Sequence, residues 1–205
     1  MSFPSEPYEQ DTRRWLERAV IGLNLCPFAK SVYVKQQVHF AVCGATEPQA
    51  VREVLRQEIE ALVALAPEVR DTTLLILPRA FDDFLDFNDF MDEADRLVED
   101  MALEGVVQIA HFHPRFQFAG TEPDDPGNAT NRAPYPTLHL LREESIDRAV
   151  EAFPEAEAIF EANIATLQRL GPAGWTALGV GPTAAPAAFA PHESGREAGR
   201  PVDKP

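Results

Sequence analysis

Three short apolar runs separated by two helix-length amphipathic stretches limit what this chain can fold into more than any other feature. VHFAVCG (residues 38–44) alternates Val38, Phe40 and Val42 against His39, Ala41 and Cys43, the period-two pattern of a strand with one face more deeply buried. TTLLILPRA (72–80) is a short continuous apolar run closed by proline, so it reads as a buried strand, and VVQIAHFH (106–113) is the third. Between them Val51, Leu55, Ile59, Leu62 and Leu65 recur at helical spacing, with Thr46 placed to cap and Pro48 in the first turn. Phe84, Phe87, Met91, Ala94, Val98 and Met101 form a second stripe, with Gly105 just past its end. Strands joined by helices long enough to cross back over a sheet favour parallel pairing with right-handed crossovers. The expected fold is therefore a single α/β domain: a central βαβαβ unit with a small, mostly parallel sheet, a fourth strand at TLHLLR (137–142) and flanking helices. The alternative is an α+β ferredoxin-like sandwich.

The chain has 205 residues, enough for one core of ordinary size and short for two. Residues 1–8 are expected to be a flexible N-terminus and 9–180 a single globular domain. The first helix is expected over 9–24, on Trp15, Leu16, Ala19, Val20 and Leu23, ending before Pro27. Late in the chain, Ser145 is placed to cap a helix through Ile146 and Val150, and Pro154 to open another that ends at Gly171. From Gly181 onward the chain is rich in alanine and proline with scarcely any large apolar residue, so 181–205 is expected to be a disordered tail.

The formal net charge of −15 argues against nucleic-acid or anionic-membrane partners, because a phosphate backbone needs Lys and Arg to replace its counterions. The two cysteines, Cys26 and Cys43, suit a reducing compartment. No apolar run approaches the roughly 20 residues that span a bilayer, and MSFPSEPYEQ lacks the pattern of a signal peptide, so the expected location is cytoplasmic. The acid-rich runs 82–104 and 143–161 fall on the polar faces of expected helices and read as solvated surface. By contrast, residues 106–142 are locally neutral: Glu122, Asp124 and Asp125 are balanced by Arg115, Arg132 and Arg142.

That neutral stretch also holds the unusual chemistry. In a strand, residues two apart point to the same side, so His111 and His113 project together and could share a metal ion with His139, Asp124, Asp125 or Cys26. A divalent transition metal is the cofactor such a set would hold. The bland alternative is that a histidine bonds a backbone carbonyl while Pro114 ends the strand. The loop after His113 is too long for an ordinary connection, and with Phe116, Phe118 and Tyr135 it reads as ordered and packed. In an open parallel sheet ligands bind outside the carboxyl ends of the strands, which here carry Cys43 and Gly44, Pro78 and Arg79, and His111, His113 and Arg115. Arg79, Arg115, Arg132 and Arg142 could clamp a carboxylate or phosphate, with Asn128 and Asn131 nearby, or they could tie the loop down through its carbonyls. Cys26 follows a helix, so the helix dipole does not activate its thiol; only a His or Arg folded against it would.

LNLCPFA, HFHPRFQFAG and NRAPYPTLHLLRE together resemble the bacterial DUF1415 family, a group defined by a domain of unknown function. The resemblance spans about residues 11–170 and implies that these three segments are hallmarks of the family; it supplies no reaction and no cofactor. Three functions follow from the residues. The first is a small enzyme acting on an anionic small molecule, with His111 and His113 as metal ligands or acid–base groups, Arg115 and Arg132 as clamps and Cys26 nearby. The second is a thiol enzyme using Cys26 with a histidine base, and the third a non-catalytic interaction module presenting Phe116, Phe118 and Tyr135. No Walker A, GxGxxG, GxSxG, HExxH or CxxC pattern is present, which removes the commonest nucleotide, hydrolase, protease and redox explanations.

Overall fold

The computed structural model describes residues 3–152 and 156–183. In chain order the elements are α1 (Glu6–Trp15), a π-helical turn (Leu16–Ile21), α2 (Ala29–Val34), β1 (Val38–Val42), α3 (Pro48–Ala64), β2 (Thr72–Ile76), α4 (Phe84–Asp100), β3 (Val107–Phe112), a 3-10 turn (Pro126–Asn131), β4 (Thr137–Arg142), α5 (Glu143–Ala152) and α6 (Ala156–Ala177). The three apolar runs are strands and the two amphipathic stretches are helices, in a mixed α/β domain.

The four strands form one sheet in the order β1-β2-β4-β3. β1 lies parallel to β2, with Phe40 opposite Leu74, and α3 makes the crossover that a parallel pair needs. β4 runs antiparallel to both neighbours, His139 facing Leu74 on one side and Ala110 on the other. β1, β2 and β3 thus share a direction, but β4 separates β2 from β3. The reason is in the connection: no crossover helix follows β3, so the chain re-enters the sheet at the end it left and must run backwards. The resulting β-α-β-α-β-β order differs from the β-α-β-β-α-β order of a ferredoxin-like sandwich.

Both faces of the sheet are covered, and every residue of β2 is buried, as a continuous apolar run demands of a central strand. One face packs Leu75, Leu77, Leu138 and Leu140 against Val51, Leu55, Ile59 and Leu62 of α3 and Phe87, Ala94 and Leu97 of α4. The other packs Phe40, Leu74 and Ile76 against Tyr8 and Trp15 of α1 and Ala19 of the π-helical turn. That turn has a local cause at Gly22, whose amide reaches Glu17 O at 2.9 Å. A Cβ on Gly22 would fall 2.3 Å from Arg18 O, so no other residue fits without moving the backbone.

Residues 3–8 and 181–183, which composition assigns to flexible ends, pack against the body. α1 begins at Glu6, Tyr8 is buried, and Phe3 stacks on Tyr8 at 5.4 Å while lying over Gly44. α3 starts at Pro48 after Glu47 rather than through a Thr46 cap. α5 follows β4 without a loop, and Ser145, inside its first turn, donates instead to Asp71 Oδ1 at 2.6 Å. α6 breaks where its end was expected: Gly171 takes φ +65°, and Pro172 restarts the helix. Gly181, Pro182 and Thr183, assigned to the tail by composition, lie against α1. Residues 184–205 and Pro154 lie outside the described residues. Among the described residues no helix is long and apolar enough to cross a membrane.

Candidate functional site

The direction of the strands gathers five segments at one rim. β1, β2 and β3 deliver Cys43–Gly44, Pro78–Arg79 and His113–Arg115 from their carboxyl ends, and antiparallel β4 brings Pro134, Tyr135 and Pro136 to the same edge from its beginning. The strap formed by residues 178–183 closes the group. There a cavity of about 250 Å³ opens, lined by Pro78, Asp82, His113, Arg115, Tyr135 and Pro182 among others. It occupies the position at which open α/β sheets bind ligands.

His113 sets the geometry of this rim. Only 1% exposed, it accepts the Arg115 amide on Nδ1 at 3.0 Å and pairs Nε2 with Phe81 O at 2.9 Å. An amide can only donate and a carbonyl can only accept, so the proton sits on Nε2 and both ring nitrogens are occupied. Burial pushes its pKa down to about 4, partly opposed by the bond to Phe81, so the ring is neutral at pH 7. It has no lone pair left for a metal or a substrate proton. What it does is tie the end of β3 to the loop that opens α4, the loop carrying Asp82.

His111 shares Phe87 with His113, at ring separations of 5.8 and 5.6 Å, so the two histidines do project to the same side. Burial lowers the His111 pKa, and its Nε2 is sealed beside Phe116 with no hydrogen-bond partner among the described residues. His139 is on the other face. In register it shares a side with Leu74, and its ring lies 6.0 Å from Phe112, whereas His111 pairs with Leu138 on the α3/α4 side. Thr72 gives its hydroxyl proton to Leu140 O at 2.7 Å, so His139 Nε2 donates to Thr72 Oγ1 at 2.7 Å. Burial lowers the His139 pKa to about 4. The expected trio of His111, His113 and His139 therefore does not assemble. Among the described residues no group of three or more His, Cys, Asp or Glu is arranged to hold a metal ion, which leaves the expected transition metal without a ligand set there.

The arginines divide by what they touch. Arg115 lines the cavity with its side chain 57% exposed, 3.6 Å from Asp82 and 4.0 Å from Asp83, and it also donates to Asp82 O. Arg79 stands at the rim but turns to Gly44 O at 3.3 Å and to the Phe3 ring, its Nε sealed with no acceptor among the described residues. Arg132 ties the loop down, donating to Phe116 O at 3.1 Å and Pro123 O at 2.6 Å, and burial lowers its pKa. Arg142 is at the opposite end of the sheet, donating to Leu62 O, to Leu65 O at 2.6 Å and to Arg70 O at 3.1 Å. Neither Arg132 nor Arg142 faces the cavity.

The asparagines are likewise structural. Asn128 is fully buried; it accepts the Phe118 amide at 3.0 Å and the Thr121 hydroxyl at 2.9 Å, and donates to Glu122 O at 2.9 Å. Asn131 accepts from Thr130 through its side chain and from the His113 amide through its carbonyl. Asp125 caps the 3-10 turn through Gly127, and Asp124 is exposed. Phe116 and Tyr135 are buried, and half-buried Phe118 packs on Phe116 and Phe160, so these rings build the loop rather than a partner surface. Cys26 is a half-buried free thiol beside Leu25, with no hydrogen bond to any histidine among the described residues, and burial raises the pKa of Cys43.

Two carboxylates at this site were not singled out from sequence. Asp82 belongs by sequence to the acid-rich run that reads as solvated surface, yet it lies in the loop leaving the carboxyl end of β2. Asp11, 1% exposed, takes bonds from Tyr135 Oη at 2.7 Å, from the Thr183 amide and hydroxyl at 2.6 Å each, and from Arg14 at 2.6 Å. Burial alone would raise its pKa; the bonds from Thr183, Tyr135 and Arg14 outweigh burial and hold it at about 2. The signal was an acid between Tyr8 and Trp15, i+3 from one and i−4 from the other, on the buried stripe of α1.

Fold and rim together define a mixed four-stranded α/β domain with a proline-walled cavity at the strand ends. The family model described as "Protein of unknown function (DUF1415)" matches residues 7–177, and the chain belongs to that family. No curated protein and no solved structure matches it.

Proposed function

We propose that the protein is a small enzyme acting on an anionic small molecule held in the rim cavity, by acid–base rather than metal-assisted chemistry. The observation that carries this reading is the shared wall of Arg115, Asp82 and His113 at the strand ends. Arg115 is the clamp. Its contacts to Asp82 and Asp83 are long and exposed, so water screens them and an incoming carboxylate or phosphate exchanges with them at little cost. Such a ligand offers the guanidinium two parallel charge-assisted bonds that neither aspartate makes. Asp82, relieved of its partner, is then the carboxylate beside the bound molecule and takes or gives the proton. His113 is a positioning residue, because its two ring nitrogens fix the Arg115 backbone and the loop of Asp82.

The ligand is small. The cavity of about 250 Å³ lies just below the range of roughly 300–1,000 Å³ typical of drug-sized sites. Its proline walls are fixed in shape by the locked φ of each ring and suit a compact apolar body behind the anionic head. An acidic chain with two free thiols suits a reducing, cytoplasmic setting and small molecules rather than nucleic acid. Isothermal titration with a panel of small carboxylates, phosphate esters and inorganic phosphate tests the reading. At least one member is expected to bind the wild type, to lose tenfold or more with Arg115→Ala, and to recover in part with Arg115→Lys. Binding that ignores Arg115→Ala, or a panel with no binder, would overturn it.

A further inference from the structure

The strap of residues 178–183 is attached in an unusual way. Leu178 and Gly179 finish α6 through the carbonyls of Gly174, Trp175 and Thr176. Beyond those, the strap's hydrogen bonds to the body, among the described residues, all run to side chains of α1 and the π-helical turn. Arg14 reaches Gly179 O at 2.8 Å and Gly181 O at 3.0 Å, Arg18 reaches Leu178 O at 2.9 Å, and Asp11 holds Thr183. Val180 is buried in the apolar cluster under α1, and half-buried Leu178 packs against the same cluster. Val180 is flanked by Gly179, at φ +62°, and by Gly181, whose missing Cβ would meet nothing. Pro182, next along, is part of the cavity wall.

We propose that the strap is latched and that its outer part, residues 181–183, opens to uncover the rim cavity, with the Asp11 carboxylate as the latch. Asp11 is suited to this because it serves both sides of the opening. Its Oδ2 accepts the Thr183 amide from the strap and the Tyr135 hydroxyl from the cavity wall, and its Oδ1 accepts the Thr183 hydroxyl and Arg14. When residues 181–183 lift, Tyr135 and Arg14 stay bonded, so the buried carboxylate is not stranded and the latch remains set for closure. Gly181, just past the anchored Val180, gives the hinge, and no backbone ladder to a strand has to break.

Amide exchange followed by NMR on the free full-length chain tests this without any ligand, so its outcome is independent of the proposed reaction. In the wild type the Thr183 amide is expected to exchange at least tenfold faster than those of Leu75 and Leu140, through an opening smaller than global unfolding. Thr183→Val keeps that amide while removing the hydroxyl bond to Asp11. It is expected to speed exchange at position 183 a further tenfold and leave Leu75 and Leu140 unchanged, with Asp11→Asn stronger still. If position 183 exchanges only at the rate of the strands, or if Thr183→Val speeds the strands equally, the strap is a fixed part of the core and the inference fails.

Discussion

Arg115 and Arg142 stand at opposite ends of the same sheet, and they use the same guanidinium differently. Arg142, closing β4, spends its donors on the carbonyls of Leu62, Leu65 and Arg70, where α3 ends and the chain turns into β2. Arg115, just beyond β3, is more than half exposed and meets two carboxylates at 3.6 and 4.0 Å. One end of the sheet is held together by its cation, and the other presents it. Residue type does not separate the two roles; the number of backbone acceptors within reach does.

The largest effect on this contrast comes from the far end. Arg142→Ala strips donors from several partly buried carbonyls and removes charge-assisted bonds of about 1.5–3 kcal/mol each, offset by water that enters. Urea denaturation is expected to show a loss of about 3 kcal/mol, with the affinity of the rim for any anion unchanged in the folded fraction. A loss of binding without a loss of stability would invert the assignment.

Acid probes the rim from the inside. Folded, His113 takes a proton only near pH 4, against about 6.5 for an unperturbed histidine, because burial disfavours the charged ring. Between those values the unfolded chain binds more protons. The stabilisation is therefore complete above pH 6.5 and falls as the pH drops toward 4. At about 1.36 kcal/mol per pH unit, one such ring accounts for about 2 kcal/mol between pH 6.5 and 5. His139, also near 4, adds to the slope from the other face of the sheet. The urea midpoint is expected to fall over this window, and less steeply in His113→Gln than in the wild type. Equal slopes would mean that His113 is not buried as a neutral ring.

What the sequence made legible was local. Period-two alternation at Phe40, the continuous run at Leu74 to Leu77, and the helical stripe through Phe87 and Met91 each reflect short-range burial patterns, and each folds as its period requires. The long connection after His113 also marked the rim. The placing of β4 between β2 and β3 was not legible, because strand order is decided by contacts far apart in sequence. With it went the fate of the histidines: His111 and His139 fall on opposite faces only through the register Ala110↔His139 and His111↔Leu138. Composition also misjudged Gly181 to Thr183, since three polar attachments to α1 hold a segment with almost nothing apolar to bury.

The smallest expected change in stability goes with the largest in function. Arg115→Ala removes only exposed, screened ion pairs and a surface donor, so its effect on stability is expected to stay within about 0.5 kcal/mol. The most direct test is therefore to titrate the tightest-binding small carboxylate or phosphate into Arg115→Ala and Arg142→Ala side by side, at a temperature where both are folded. Arg115→Ala is expected to lose at least tenfold in affinity with its melting temperature unmoved, and Arg142→Ala to bind as the wild type does. Undiminished binding by Arg115→Ala would mean that Arg115 is not the anion clamp of the rim.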